Sequence, residues 1–541
     1  MRKITASPKK DDLVANCIRK FSVHFRRPYE IGQTTQEYKG EFGFDWVRDE
    51  YIYPILAING TKDCVIYAYS QPSLRILYEN FYQDVNEFIE KEGYLPSWLS
   101  IFATDCKGTL GSEKINEQGV SLDLEIHQSS IDACSQQELT SNGTVLTFRA
   151  SNDLIKISTF NNNQQTCYIE EPLSKFIDSK RLEVNLGTEK RYLYKKNKAI
   201  TIRCSGGVLT KNESIKVTAK RGETEYDVGI IYIAKNDKVA VASLVIIDVK
   251  VNGKVLKRSN NYEWELKNRI FNQCLMIVEV VKTEIFDLDL LSKNDPEVRD
   301  FVKKWWTDKI KIAAGEKYLE IQTSQKEQEK ENLRIRKTNQ MEEDISNEFE
   351  RELRDLYERK RQIQDRLISI HDDIEKRTYV FFAPIALREP PICNDPATGK
   401  KLAYPIWSKV FGTASYKPKP KFMGPRIKKY EDMNNEEKRN ELKWGNIVTI
   451  FSDAMNAKED FVKTFSHELS HSFGLLHSFD SIEKKIQYYQ GFTDNIMDYP
   501  MTDSQQSSKF SQWQFAFRKD QADKIRQDNN VDNGTLTTHI H

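Results

Sequence analysis

The stretch His467-Glu468-Leu469-Ser470-His471-Ser472-Phe473-Gly474-Leu475-Leu476-His477 contains three of the eight histidines of this chain. His467 and His471 are four positions apart, so on an α-helix their side chains leave the same face from adjacent turns. Two imidazoles placed in this way can bind one metal ion. The stretch therefore predicts a helix that carries a metal site.

The other residues of the stretch complete this pattern. Glu468 follows the first ligand, where its carboxylate would reach a metal-bound water rather than the metal itself. Gly474 can adopt the left-handed conformation that ends a helix, and the chain that turns back there can bring in His477 as a third ligand.

Three neutral imidazoles with an open fourth position suit Zn²⁺. Such an ion lowers the pKa of its bound water to about 7, so that a neighbouring base can accept the proton and pass it to a leaving amine. The sequence thus predicts one catalytic Zn²⁺ held by His467, His471 and His477, with Glu468 as general base and acid in peptide hydrolysis.

The composition of the chain limits which partners and which cellular locations are expected. Lys and Arg number 81 against 80 Asp and Glu, so no global charge favours nucleic acid or an anionic membrane as a partner. No run approaches the 18 apolar residues of a membrane span, and residues 1–30 lack the apolar core of a signal peptide. We therefore expect no membrane span, and a protein that is either cytoplasmic or exported by a dedicated secretion machine.

Up to about residue 240 the sequence is typical of β-structure. Short runs rich in Val, Ile, Tyr and Thr alternate with turn residues, as in Ala199–Cys204 and Val228–Ala234. Strand signals about ten residues apart favour β-sandwiches over βαβ units. We predict an N-terminal β-rich module over 1–115 and a β-sandwich-like module over 116–240.

The region 241–541 is predicted to be an α+β domain that ends in a polar tail over 527–541. A helical stripe lies between its first two strands, and two further strands precede the histidine motif. The predicted strands are Leu244–Val251, Met276–Phe286, Tyr379–Ala383 and Trp444–Phe451. The fold class expected from the sequence is therefore multidomain, with all-β modules first and an α+β domain last.

A long helical or coiled-coil insertion is predicted within this domain, over about 291–376. Between Gly315 and Pro384 the sequence contains neither Gly nor Pro. Two interpretations stay open: an arm that docks on a partner helix or a delivery apparatus, and a self-contained helical hairpin. The apolar residues at heptad spacing, which predict a helix of about 30 residues, are Phe349, Leu353, Leu356, Ile363, Leu367, Ile370 and Ile374.

The pattern His-Glu-x-x-His-x-x-Gly-x-x-His resembles the metzincin clan of zinc endopeptidases, and the segment Gly491–Pro500 strengthens the resemblance. Metzincins place a methionine in a tight turn beneath the three histidines, the Met-turn, and Met497 matches this position. Tyr499 matches the tyrosine that astacins and serralysins place near zinc, as a fifth ligand or as a donor to the transition-state oxyanion. Ser478, which follows the third histidine, instead matches the residue at this position in matrixins. The subfamily signals are therefore mixed, and no subfamily is assigned.

The resemblance covers roughly 240–527 and is sharp only over 467–499. It implies that Trp444–Phe451 is the edge strand on which an extended peptide substrate pairs. It also implies that Ser507–Arg526 forms the helix that closes the domain. The helical insertion has no counterpart in the minimal metzincin fold.

Two functional hypotheses follow. The first is a zinc endopeptidase that acts on proteins or peptides, whose N-terminal β-modules bind a target, a matrix or a delivery apparatus. An exported effector or toxin is one form of this hypothesis. The second is a binding or assembly protein with a non-catalytic zinc site in a protease-like domain. Glu468 favours the enzyme, because a structural metal site has no use for a base beside the metal.

Overall fold

The structure, a computed structural model, describes only part of the chain. The described residues are 21–28, 38–46, 55–59, 65–67, 94, 96–104, 117–128, 138–160, 162–178, 180–186, 189–258, 260–305, 348–361, 377–385, 387–389, 408–414, 446–452, 461–478, 486–488, 493–499, 516–528 and 531–535.

β-strands are the most frequent elements among these residues. The strands, numbered in chain order, are β1 (Phe21–Arg26), β2 (Gly43–Trp46), β3 (Ile55–Asn59), β4 (Val65–Tyr67), β5 (Ser97–Ser100), β6 (Val120–Gln128), β7 (Val145–Ala150), β8 (Ile155–Thr159), β9 (Asn162–Thr166), β10 (Tyr168–Pro172), β11 (Leu182–Leu186), β12 (Glu189–Cys204), β13 (Glu213–Arg221), β14 (Thr224–Ile233), β15 (Lys238–Lys250), β16 (Met276–Asp287), β17 (Arg377–Ala383), β18 (Leu387–Glu389), β19 (Ser408–Val410), β20 (Gly412–Ala414), β21 (Ile447–Phe451), β22 (Ile486–Tyr488) and β23 (Asp532–Thr535).

Helices occur mainly in the second half. A short helix, α1, continues through π-helical and 3-10 turns to Cys274. None of the helices in the described ranges is long and apolar enough to cross a bilayer. The helices are α1 (Tyr262–Glu265), α2 (Leu288–Asn294), α3 (Pro296–Trp305), α4 (348–361), α5 (Phe461–Ser472) and α6 (Lys519–Arg526).

Two six-stranded sheets form the first half of the structure. Their orders are β1-β6-β12-β8-β9, with β11 paired to β12, and β10-β7-β13-β14-β5-β2. Alternate side chains point inward, as Leu122, Leu124 and Ile126 do in β6, and the inward side chains of both sheets form one apolar cluster. Two sheets that enclose a common core form a β-sandwich.

The boundary predicted near 115 falls inside this sandwich. β1 pairs antiparallel with β6, and β2 and β5 lie in the same sheet as β13 and β14. Strands from 1–115 and from 116–240 therefore share both sheets, so the described residues form one sandwich where two modules were predicted. Strand signals along a sequence do not reveal which strands pair, because pairing joins residues far apart in the chain.

The third sheet has the order β16-β15-β17-β21-β20, and β23 pairs with the first residues of β15. β16, β15, β17 and β21 are parallel, whereas β20 runs antiparallel to β21. The four parallel strands are those predicted in the second half. The apolar runs of β15, β17 and β21 fit strands that are covered on both faces, whereas β16 ends the described sheet and its second half is largely exposed.

Two predictions about this sheet are wrong. Trp444–Phe451 is predicted as an edge strand, but β21 lies between β17 and β20, so that β20 is the outer strand at this end of the described sheet. The segment 527–541 is predicted as a polar tail, but Asp532–Thr535 pairs with β15. Both errors concern short strands, whose place is fixed by distant partners rather than by local propensity.

Apolar side chains cover both faces of the third sheet. Successive residues of β15 point to opposite faces, so that Leu244 and Ile246 join the cluster beneath α5. Val245 and Ile247 join the cluster beneath α3 and α4. The sheet therefore lies between α5 on one face and α3 and α4 on the other.

The start of the predicted heptad pattern packs on this domain's own sheet. Phe349, Leu353 and Leu356 of α4 belong to the cluster of β15, β17 and β21. The ring of Phe349 lies 5.7 Å from that of Phe301 and 5.3 Å from that of Trp305, both on the preceding helix α3. The later heptad positions, from Ile363 to Ile374, lie outside the described residues.

The sandwich also packs closely against the helical segment that follows α1. Asn272 Nδ2 donates hydrogen bonds to the carbonyl oxygens of Gly40 and Glu41, at 2.9 and 2.7 Å. Gly40 has a φ of +87°, and a Cβ atom there would lie 1.9 Å from the carbonyl oxygen of Arg269. Only glycine fits this contact, because any side chain would overlap the opposing backbone.

Gly40→Ala is expected to lower the free energy of unfolding by about 3 kcal/mol or more, since a left-handed alanine adds to a steric overlap. Gly143→Ala is the matched control, because Gly143 has a φ of +82° but nothing within 4 Å of a Cβ atom. The control should cost about 1–2 kcal/mol. Chemical denaturation followed by circular dichroism measures both, and equal losses would contradict the close backbone contact.

Candidate metal centre

α5 carries the histidine motif on a helix whose apolar side is covered. Phe461, Phe465 and Leu469 recur every four residues and belong to the cluster against the third sheet. Because this spacing keeps the three side chains on one face, His467 and His471 leave the helix in another direction. All three apolar side chains are buried.

Gly474 ends the helix and reverses the chain. Its φ is +86°, in the left-handed region. The N–H of Gly474 donates to the carbonyl of His471 at 2.8 Å, and the N–H of Leu475 donates to the carbonyl of Ser470 at 3.1 Å. This pair of bonds closes a Schellman motif. The reversed chain returns His477 to the side of the helix, as predicted.

The three histidines converge on one point. Nε2 of His471 lies 3.1 Å from Nε2 of His467 and 3.2 Å from Nε2 of His477. The ligand atoms of the three residues all lie within 4.8 Å of one another. Among the described residues, these three histidines are the group of His, Cys, Asp or Glu side chains placed closely enough to hold a metal ion. His467 and His471 are buried, and His477 is partly exposed.

Backbone carbonyls fix the orientation of two of the rings. Nδ1 of His467 donates to the carbonyl of Ile496 at 2.7 Å, and Nδ1 of His471 donates to the carbonyl of Leu475 at 2.7 Å. A carbonyl oxygen only accepts, so in the neutral ring the proton is on Nδ1 and the lone pair is on Nε2. Both rings therefore direct a metal-binding lone pair at the same place.

This arrangement fits zinc. Two ligands that each lie 2.0–2.1 Å from a tetrahedral ion are roughly 3.3–3.4 Å apart. The observed nitrogen separations of 3.1 and 3.2 Å are close to that value. Neutral imidazoles are ligands that zinc commonly binds, and the carbonyl partners supply the outer hydrogen bonds that zinc-binding histidines usually make.

Met497 lies in a tight turn after the motif. It is fully buried in the cluster beneath α5. Its N–H donates to Oδ1 of Asn495 at 3.0 Å, and its carbonyl accepts from the N–H of Ser478 at 2.8 Å. The second bond ties the turn to the residue that follows His477, so the turn and the third histidine are held together.

Tyr499 stands at the open side of the site. Its hydroxyl lies 2.6 Å from Nε2 of His477, and its ring is 5.1 Å from that of His467. The side chain is 40% exposed. A phenol in this position is next to the nitrogen cluster and can also reach a molecule that enters from solvent.

Glu468 is buried beside the histidines, against the outer strand. A Cβ atom on Gly412 would lie 2.6 Å from its Cγ and 3.2 Å from its Oε1, so the backbone of β20 passes directly over this side chain. Burial raises the pKa of the Glu468 carboxyl to about 8, and the negative charge of Glu350 adds to the effect. Glu350 itself lies on α4 and accepts a hydrogen bond from Thr413, also of β20.

The sequence reasoning missed Gly412 and Glu350. Glu350 is one charged residue among many in the insertion, and no local pattern distinguishes it. Gly412 does carry a usable signal, since a glycine within a short strand often marks a close approach of backbone to a neighbour. Its partner, 56 positions away in the sequence, could not be named without the fold.

The chain matches no protein-family model and no curated protein. Among solved structures it is similar to the C-terminal domain of the AgI/II polypeptide BspA from Streptococcus agalactiae, at 8% identity over 23% of this chain and 45% of that chain, with a TM-score of 0.12. It is also similar to the CooA pilin subunit from enterotoxigenic Escherichia coli, at 12% identity over 27% of this chain and 93% of that chain, with a TM-score of 0.14. Likenesses this weak carry no argument about function.

His471→Ala is expected to abolish stoichiometric zinc binding, because Nε2 of His471 is the atom that lies within 3.2 Å of both other ligand nitrogens. Ser472→Ala on the same helix is the matched control and should keep one zinc per chain. Metal analysis of the purified variants after dialysis measures both. Full zinc occupancy in His471→Ala would rule out this site.

Proposed function

We propose that this protein is a zinc-dependent endopeptidase. The observation that supports the proposal best is the convergence of three histidine nitrogens within 4.8 Å, beside a buried carboxyl group on the same helix. Zinc, when bound, would supply a Lewis acid that acidifies a water molecule and polarises the scissile carbonyl group.

Glu468 would move the proton. As a carboxylate it would accept a proton from the attacking water and then donate that proton to the amine, because a peptide nitrogen leaves only when protonated. Burial raises the pKa of this carboxyl group, which favours a group that takes up a proton and then releases it. No covalent bond between substrate and protein is needed.

Tyr499 would stabilise the negative charge that develops on the carbonyl oxygen. Its exposed phenol stands beside Nε2 of His477, at 2.6 Å, and is therefore near the place where the reacting group would lie. A hydrogen bond from a hydroxyl to a developing oxyanion is stronger in the transition state than in the ground state.

The substrate would lie along β20. This strand is one of the two outer strands of the described part of the third sheet, and it pairs with β21 on its inner side. An extended peptide could add to the free side of such a strand through backbone hydrogen bonds. Because Gly412 of β20 touches Glu468, a peptide bound there would have its backbone close to the general base.

The alternative is a binding or assembly protein with a non-catalytic metal. The environment of Glu468 favours the enzyme. Burial of a carboxyl group is costly, and a site that only holds a metal for structure gains nothing from bearing that cost next to a ligand.

Glu468→Gln is expected to lower kcat/KM for peptide cleavage by about 10²–10⁴-fold, because the variant keeps the shape of the side chain and loses the proton carrier. Zinc content should stay at one ion per chain, since Glu468 is not a ligand. Cleavage of an unfolded protein substrate, with metal analysis of the same samples, measures both. Cleavage at the parent rate would favour the binding-protein alternative.

Tyr499→Phe is expected to lower kcat by about 10–1000-fold and to leave KM and zinc content nearly unchanged, because the lost hydrogen bond exists mainly in the transition state. Folding should not suffer, since the side chain is 40% exposed. Steady-state kinetics on a fluorogenic peptide separate kcat from KM. An unchanged kcat would limit Tyr499 to packing against the histidine rings.

A further inference from the structure

A buried ion pair joins the sandwich to the turn that contains Met497. Arg27, directly after β1, pairs through Nη2 with Oδ2 of Asp494. The two side chains are only 2% and 1% exposed. Arg27 also lies over the ring of Tyr38, at 4.8 Å, and the Tyr38 hydroxyl donates to Gln273 at 3.2 Å. The Arg27 side chain therefore contacts Tyr38 of the sandwich and Asp494 of the turn that contains Met497.

Backbone hydrogen bonds connect Asp494 to Ile496, whose carbonyl orients the ring of His467. The carbonyl of Asp494 accepts from the N–H of Ala516 at 2.9 Å, and the N–H of Ile496 donates to the carbonyl of Ala516 at 3.0 Å. The carbonyl of Ile496 is the group that accepts from Nδ1 of His467. A shift of Asp494 would therefore move the acceptor that orients the first histidine.

A second contact from the sandwich holds the same turn. Oδ2 of Asp45 accepts from the N–H of Lys519 at 2.9 Å, at the first residue of α6. Gln521 of that helix accepts from Nδ2 of Asn495 at 2.8 Å. Asn495 in turn binds the N–H of Met497. A carboxylate at a helix N-terminus satisfies a free N–H group and interacts favourably with the helix dipole.

We infer that Arg27 and Asp45 of the N-terminal sandwich are positioning residues for the metal ligand His467. The inference deepens the proposed zinc function and rests on it. Arg27 touches neither metal nor substrate, and it acts through Asp494 and the Ile496 carbonyl. The N-terminal sandwich is on this account a part of the metal centre, rather than a separable module that only binds a target.

The chain supplies a matched control next to Arg27. Arg26 is equally buried and also ion-paired, with Glu125 at 3.2 Å, but this partner lies inside the sandwich on β6. Substitution of either arginine removes one ion-pair partner from a buried carboxylate. Both variants should therefore lose free energy of unfolding for the same physical reason. Only the loss at Arg27 reaches the turn that holds the histidine.

The test compares Arg27→Gln with Arg26→Gln in the full chain. Zn²⁺ affinity is measured by competition with a chelating dye, and Co²⁺ added in place of zinc reports the ligand geometry through its visible absorption spectrum. Arg27→Gln is expected to bind Zn²⁺ about 10–100-fold more weakly than the parent and to change the Co²⁺ spectrum, as loss of outer hydrogen-bond support typically does. Arg26→Gln should match the parent in both. Equal Zn²⁺ affinity in folded Arg27→Gln and the parent would overturn the inference.

Asp45→Ala is the second variant and keeps the test decisive if Arg27→Gln does not fold, because loss of one hydrogen bond at a helix N-terminus is usually tolerated. It is expected to bind Zn²⁺ about 3–10-fold more weakly, at the lower end of the effect of lost outer support. Unchanged affinity in this folded variant would also overturn the inference. A parent chain that binds no Zn²⁺ would instead contradict the proposed function itself, so the two failures are distinct.

Discussion

The close approach of three imidazole nitrogens is the constraint on which the site depends. Lone pairs on nitrogens 3.1 and 3.2 Å apart repel one another unless a cation lies between them. The protein maintains this arrangement through unrelated features: a helix that sets the first two rings, a left-handed glycine that returns the third, and carbonyl acceptors that hold Nδ1. The helix depends in turn on packing, because its apolar face joins the cluster against the third sheet.

The parts of the site that could be predicted from the sequence are local. The spacing of His467 and His471 fixes their common face through helix geometry alone, and Gly474 ends the helix because it is free to adopt a positive φ. The four strands before the motif could also be predicted, because runs of apolar residues are local features of the sequence. In each case the residues that interact are close in sequence or share one repeating pattern.

The parts that could not be predicted depend on long-range pairing. The sequence before residue 240 correctly predicts β-strands. It does not indicate that β1 pairs with β6 or that β2 pairs with β5. The position of β20 beside β21 could not be predicted for the same reason. A strand of three residues is too short for its sequence to indicate which strand it pairs with. The contacts of Glu468 with Gly412 and of Arg27 with Asp494 also join residues far apart in the chain, so no local pattern predicts them.

The order of these partners along the chain has a consequence for synthesis on the ribosome. Arg27 and Asp45 emerge early, whereas Asp494, Lys519 and the β23 strand that pairs with β15 emerge more than 440 residues after Asp45. Domains generally fold as their residues leave the ribosome, and contacts between distant residues form late. A nascent chain that has exposed its three histidines still lacks the turn and the closing helix that support them. The three-histidine site is therefore among the last features to form, and an incomplete polypeptide does not carry a finished one.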